Sequence, residues 1–302
     1  MWQQLLDQIQ KGDARALARG ISFVENEQEG YEQLLSSLPP NKHTKLVGIT
    51  GPPGGGKSTL VNGLIKQVVN ENKKIAVLCV DPSSPFNLGA VLGDRIRMSE
   101  WYTHPSVFIR SLATRGAMGG LHPKTIEITE LVKAASFDYI IIETVGVGQS
   151  EIEIAGLADV TVVVLVPEAG DEVQTMKAGL MEIADIFVVN KSDRPDADSF
   201  VKNLRMMLAP AFRSHTAEVP IVKTAASQGT GIAELFQKIE KHLQLNVTNE
   251  KHFWLLAERA YYLIEQQRMK SVNKKELKKI IEKQVQEGGF NLYNFIKQFT
   301  TC

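Results

Sequence analysis

Leu46-Val47-Gly48-Ile49-Thr50, Gly51-Pro52-Pro53-Gly54-Gly55-Gly56-Lys57-Ser58-Thr59 and Leu60-Val61-Asn62-Gly63-Leu64-Ile65 follow one another without a break, and the fold is read outward from them. The middle piece fits G-x-x-x-x-G-K-[ST]. Its flanks are those the pattern requires: an apolar run suited to a strand in front, and behind it apolar residues at 60, 61, 64, 65 and 68, the spacing of one helix face. Glycines at 51, 54, 55 and 56 let the backbone curl tightly and aim consecutive N–H groups at one point, while the following helix adds its positive N-terminal dipole. The stretch from Gly51 through Pro52 and Pro53 to Thr59 therefore reads as a cradle for the phosphates of a nucleotide. Lys57 would reach the β- and γ-phosphates, and Ser58 would contribute its hydroxyl to the shell of the Mg²⁺ that accompanies them. The bland alternative is a glycine-rich turn with no ligand.

The chain has 302 residues, enough for a sizeable core with smaller helical additions. Its 34 basic and 34 acidic residues give no net charge, so there is no global pull toward nucleic acid or an acidic membrane. Cys79, within an apolar run, and Cys302 suggest neither a disulfide framework nor a cysteine metal site, which suits a reducing compartment. No apolar run reaches the roughly 18 residues of a membrane span, and the N-terminus lacks the layout of a signal peptide. A cytoplasmic protein is expected.

Residues 1–40 read as an N-terminal helical segment: Trp2, Leu5, Leu6 and Ile9 recur at helical spacing, and Asp13 is placed to cap a helix carrying Leu17, Ile21 and Val24. Pro39 and Pro40 end it. From 41 to 245, apolar runs at 46–50, 75–80, 107–110, 139–142, 160–166, 185–189 and 219–222 are separated mostly by helical patterns. Continuous rather than alternating apolarity means burial on both faces. The expected fold class is α/β, a doubly wound, mostly parallel sheet with N- and C-terminal helical extensions and ligands collected at the carboxyl ends of the strands. Residues 246–302 change texture: a helix over 250–270 with Phe253, Leu256, Ala260, Leu263 and Ile264 near one face, a basic one over 273–286, then Gly288 and Gly289. This extension is expected to be a packed helical appendage that serves a dimer, with Lys274, Lys275, Lys278 and Lys279 on a solvated face rather than a nucleic-acid patch.

Asn190-Lys191-Ser192-Asp193, directly after an apolar strand, names the base. A carboxylate at Asp193 accepts both N1–H and the exocyclic N2–H of guanine; adenine offers a lone pair there and lacks the amino group, leaving the carboxylate unpaired. Lys191 would lay its stem on the base and Asn190 would tie this loop to the phosphate loop. Backbone N–H groups around Ala225, Ala226 and Ser227 are candidates to reach guanine O6. Acidic residues at strand ends, Asp81, Asp94 and Glu143, are the candidates to join Ser58 at Mg²⁺; a turn at Asp81 and an ion pair of Asp94 with Arg95 or Arg97 are the alternatives. Gly146 lies where an N–H meets the γ-phosphate. Val147 stands where GTPases of the Ras type carry the glutamine that orients the attacking water, so hydrolysis by the isolated protein should be slow. Arg110 and Arg115 are candidate charge stabilisers or, equally, structural ion-pair arginines.

Assembled, these residues resemble the MeaB/ArgK family of P-loop GTPases, the G proteins associated with adenosylcobalamin-dependent methylmalonyl-CoA mutase. The likeness rests on Gly51–Thr59, Val80–Ser84, Gly93–Arg95, Ala113–Gly116, Glu143–Glu151 and Asn190–Asp193. The resemblance implies a homodimeric chaperone that uses GTP to gate loading of the cobalamin cofactor into a mutase and to protect it. It also implies a further switch in the stretch from Gly170 to Glu182, with Lys177 as the signalling residue beside Lys57 and Glu143 in the catalytic cycle. Gly55 departs from the family, which often has alanine there, and the change is expected to be harmless. Competing readings are a nickel-inserting maturation GTPase, disfavoured by scattered histidines and a strand-bound Cys79; a kinase linked to arginine and ornithine transport, disfavoured by the guanine-type loop; and a partition-type ATPase, which would carry a lysine where Pro52 and Pro53 stand.

Overall fold

A computed structural model describes residues 2–41, 43–81, 98–113, 122, 124–144, 150–169, 178–208, 219–245, 250–269 and 272–300. Seven strands, β1 (Lys45–Thr50), β2 (Ile75–Asp81), β3 (Val107–Ala113), β4 (Tyr139–Glu143), β5 (Val160–Leu165), β6 (Ile186–Val189) and β7 (Ile221–Lys223), form one sheet in the order β3-β2-β4-β1-β5-β6-β7. Every pairing is parallel. Most of the expected runs become strands to within a residue at each end, but β3 extends past the expected 110 to Ala113, and β7 begins at Ile221 rather than 219. The reason lies in burial on both faces: all residues of β4, β5 and β6 are buried, which only strands roofed by helices on both sides allow.

Helices α1 (Trp2–Gln10), α2 (Ala14–Glu25), α3 (Tyr31–Ser36), α4 (Lys57–Asn70), α5 (Thr125–Lys133), α6 (Ser150–Leu157), α7 (Ala178–Ile183), α8 (Ala197–Leu208) and α9 (Ile232–Leu243) accompany the sheet. One face holds Val47, Ile49, Val77, Ile141, Val162 and Val188 against Leu60, Leu64 and Ile65 of α4 and Leu235 and Ile239 of α9. On the other face Val163, Leu165, Phe187 and Val189 meet Phe200 and Leu204 of α8. Each of these side chains contributes about 1.5–3 kcal/mol by leaving water, so the sheet is the thermodynamic centre of the molecule.

Asp13 caps α2 as the sequence implies, accepting from the N–H groups of Arg15 and Ala16 at 2.8 and 2.9 Å. Pro39 and Pro40 end the N-terminal helices, but the chain stays packed across that point. Thr44 Oγ1 donates to Phe137 O at 2.7 Å, and Arg110 of β3 donates to Glu25 of α2 at 2.6 Å and to Ser22 Oγ at 2.9 Å. Of the two alternatives for Arg110, the structural ion pair is the one realised. Residues 1–253 make one compact unit and 254–302 a second. Helices α10 (Glu250–Arg268), α11 (Lys274–Gln286, capped by the Asn273 side chain) and α12 (Leu292–Thr300) complete the chain. No described helix is long and apolar enough to cross a membrane.

Candidate nucleotide-binding site

The glycine-rich loop leaves β1, Asp81 and Glu143 are the last residues of β2 and β4, Asn190 follows β6 and Thr224 follows β7, so the candidate residues share the carboxyl end of one parallel sheet. That is where open α/β sheets bind ligands, in the crevice beside the central strand. Cys79 pairs in register with Glu143, which places Asp81 at the neighbouring strand end.

Two glycines are required by the loop itself. Gly51 has φ +134°, and a Cβ there would lie 2.1 Å from Val164 O of β5. Gly56, φ +82°, caps α4, and its Cβ would lie 2.4 Å from Asn190 Nδ2. Gly55 has no left-handed φ; a Cβ there would stand 3.1 Å from Pro52 O, so alanine is accommodated with a small shift rather than freely. Buried Lys57 folds its ammonium onto the loop, donating to Gly51 O at 2.8 Å and Pro52 O at 3.1 Å. These carbonyl contacts hold a desolvated cation over the anion cradle, where phosphate oxygens would be the stronger, charged acceptors.

Ser58 Oγ donates to Glu143 Oε1 at 2.7 Å, both residues being buried. A hydroxyl and a carboxylate side by side at the phosphate loop are hard oxygen donors of the kind Mg²⁺ prefers, so these two candidate ligands fit the ion. Thr144, next along, donates from Oγ1 to Thr50 Oγ1 at 2.9 Å and from its N–H to Ile49 O at 3.0 Å, fixing the exit of β4 against that of β1. Among the described residues no three His, Cys, Asp or Glu side chains gather as a metal site. Asp94, Arg115, Gly146, Val147 and Lys177 lie outside the described residues, and of Asp81 the backbone position alone is described.

Buried Asn190 ties the two halves of the site together. Its Nδ2 donates to Gly55 O at 2.9 Å, while Oδ1 accepts from Thr224 Oγ1 at 3.0 Å and from the Ala226 N–H at 3.1 Å. The expected link from base loop to phosphate loop is thus present, and Thr224, at the exit of β7, is part of it. Lys191 adopts a left-handed φ of +56°, and Ser192 N donates to Thr224 O at 2.9 Å. The N–H groups of Thr224, Ala225 and Ala226 are taken by Val189 O, Thr230 O and Asn190 Oδ1, which among the candidates for guanine O6 favours Ser227. Exposed Asp193 accepts from Gln228 Nε2 at 3.3 Å, and Arg194 pairs with Glu168 in the turn that follows β5. Neither pairing carried a sequence signal, because each joins segments far apart in the chain.

A parallel sheet ordered around β1, a Lys57–Ser58 phosphate loop and a guanine-type loop bonded to it define a P-loop GTPase. Residues 17–283 match the family described as methylmalonyl-CoA mutase-associated GTPase MeaB, and the chain belongs to that family. A protein of Pyrococcus abyssi described as a GTPase is 48% identical over 246 residues, covering 80% of this chain and 76% of its own. The mouse (Mus musculus) protein described as a mitochondrial homolog of methylmalonic aciduria type A is 33% identical over 253 residues, 76% of this chain and 60% of its own. A solved structure described as a LAO/AO transport system kinase superposes with a TM-score of 0.68 over 99% of this chain and 96% of that one, at 24% identity, and shows the same fold.

Proposed function

We propose that this GTPase is a chaperone of a B12-dependent acyl-CoA mutase of the methylmalonyl-CoA mutase type, using GTP to gate loading of adenosylcobalamin and to protect the loaded enzyme. The observation that carries the reading is the Asn190 bridge between base loop and phosphate loop in a chain of the mutase-associated family. The mouse relative, described as a homolog of methylmalonic aciduria type A, supports the same class of partner.

In this reading Asp193 selects guanine and Lys191 covers it. Lys57 exchanges its two loop carbonyls for β- and γ-phosphate oxygens and balances the charge that moves to the leaving GDP as water attacks the γ-phosphorus. Ser58 and Glu143, with Asp81 and Asp94, would hold Mg²⁺, which when bound would neutralise charge on the phosphates. Gly146 would report the γ-phosphate through its N–H. With Val147 in place of a water-orienting glutamine, the isolated protein turns over slowly and a partner completes the site. Lys177, within 170–182, carries that signal. The protein acts in the cytoplasm as a homodimer, for which the exposed apolar side chains of its last three helices provide a surface.

The test is steady-state GTP hydrolysis with and without saturating mutase from the same cell. Stimulation that disappears in Lys177→Ala, with basal hydrolysis retained, is the expected result. Fast hydrolysis by the protein alone, or indifference to every cobalamin mutase of the cell, would overturn the gating role and leave the GTPase assignment standing.

A further inference from the structure

Asp193 has a task that its own loop does not equip it for. To meet N1–H and N2–H of guanine together, its carboxylate must present one oxygen to each donor, in the plane of the base. Rotation about the last torsion of an aspartate is broad and roughly twofold, so an exposed carboxylate samples planes in which only one of those contacts is good. Backbone bonds place the loop: Ser192 N to Thr224 O at 2.9 Å and Arg194 N to Lys191 O at 3.0 Å. They leave the carboxylate plane unset.

The neighbouring loop supplies what is missing. Ala225–Thr230 is closed into a ring by paired bonds, Ala225 N to Thr230 O at 3.1 Å and Thr230 N to Ala225 O at 3.3 Å. Inside the ring Gln228 N donates to Ala225 O at 2.8 Å, and Ala226 N is bonded to the Asn190 side chain at 3.1 Å. This ring presents the Gln228 amide to Asp193 Oδ2 at 3.3 Å. A carboxylate has about four acceptor positions, two on each oxygen, so a bond from Gln228 to Oδ2 still leaves a free position on each oxygen for guanine. The three donors are compatible, and the amide selects the plane.

We infer that Gln228 is a positioning residue for base recognition: it orients the Asp193 carboxylate so that both guanine donors are read at once. The inference rests on Asp193 as the guanine reader and names the residue that sharpens its reading. A base lying on the Lys191 stem would shield the carboxylate from water, and a bond that is weak in the exposed loop would then act in a drier surrounding.

The consequence is a change in discrimination more than in overall affinity. Inosine diphosphate keeps N1–H and lacks the 2-amino group, so it needs one well-placed oxygen where GDP needs two. Calorimetric titration of the full chain should show Gln228→Ala weakening GDP about threefold to tenfold and inosine diphosphate less than about twofold, compressing the ratio between them. Gln228→Glu, which sets carboxylate against carboxylate, should weaken GDP further. In an Asp193→Ala background, Gln228→Ala should add nothing, whereas a residue that merely supports the loop would still weaken both nucleotides. Unfolding midpoints of the variants, measured alongside, should match the parent because both side chains are exposed.

An unchanged GDP-to-inosine ratio in Gln228→Ala, or tighter GDP binding because the amide had been competing with the base, overturns the inference. Asp193→Asn separates this from failure of the underlying reading. If that variant moves preference from guanosine to xanthosine diphosphate while Gln228→Ala does nothing, the positioning role alone falls. If Asp193→Asn leaves guanine preference intact, the base is read elsewhere and both fall together.

Discussion

The α/β unit and the C-terminal helices solve the problem of apolar surface in opposite ways. In the first, β4 and β5 are buried at every residue, and polar side chains drawn inside find partners: Arg110 pairs with Glu25, and Ser58 donates to Glu143. In the second, Trp254, Tyr261 and Tyr293 are 72%, 70% and 78% exposed, whereas Phe295 is 5% exposed. Those last helices are held by local terms: an Asn273 cap, a Lys278–Glu282 pair at 3.3 Å, and ring contacts of Phe295 with Phe290 and Phe299 at 5.8 and 5.2 Å. Local terms of this kind are each worth a few tenths of a kcal/mol to about 1 kcal/mol. The α/β unit has a two-sided core of its own. The C-terminal helices carry large exposed aromatic groups, the surface to which the proposed second copy of the chain would bind.

The comparison breaks most readily at Gly51. Its Cβ would meet the backbone oxygen of Val164 at 2.1 Å, and backbone on both sides of the contact leaves nothing to yield. Gly51→Ala should destabilise the α/β unit by more than about 3 kcal/mol, visible in urea unfolding, and remove nucleotide binding with it. A variant of parental stability would show that the core is less tightly closed than its burial implies.

Next in size is the C-terminal surface. Replacing Trp254 and Tyr261 together by serine should leave the α/β unfolding transition within about 0.5 kcal/mol of the parent, because neither side chain is in a core. Sedimentation should nonetheless move from dimer to monomer. A parent that is already monomeric at micromolar concentration would end the homodimer proposal.

The smallest effect belongs to a cluster at the opposite end of the sheet from the nucleotide site. Glu240 of α9 accepts from the Tyr139 hydroxyl of β4 and pairs with Lys45 of β1 at 3.2 Å. Burial alone would raise the Glu240 carboxyl, yet the Tyr139 hydroxyl, Lys45 and Lys73 outweigh it and hold its pKa below the ordinary 4.5. Burial, with Glu240 beside it, pushes the Tyr139 hydroxyl up. A carboxyl depressed in the folded state contributes stability that is fully present above its unfolded value and is lost as pH falls through its folded value. Partly screened by solvent, it should be worth about 1 kcal/mol at pH 7. Glu240→Gln should show that deficit in urea unfolding and close on the parent as pH drops below 4.5, the ordinary carboxyl value. A gap independent of pH would assign the cost to packing.

What the sequence determined by itself is the chemistry and the layering. Uninterrupted apolar runs require strands buried on both faces, and Gly51–Thr59 and Asn190–Asp193 each carry their function within a few consecutive residues, so periodicity and local pattern suffice. The link from Asn190 to the phosphate loop was legible from its place in the base-reading motif; that it ends on Gly55 O was decided by the fold. What only the tertiary structure decided is which distant groups complete them. Strand order brings Arg110 to Glu25 and so assigns it to structure, commits the Thr224, Ala225 and Ala226 N–H groups within the protein, and sets Gln228 against Asp193. A side-chain hydrogen bond between remote segments has no period and leaves no composition; it comes into being when the sheet fixes where the loops end.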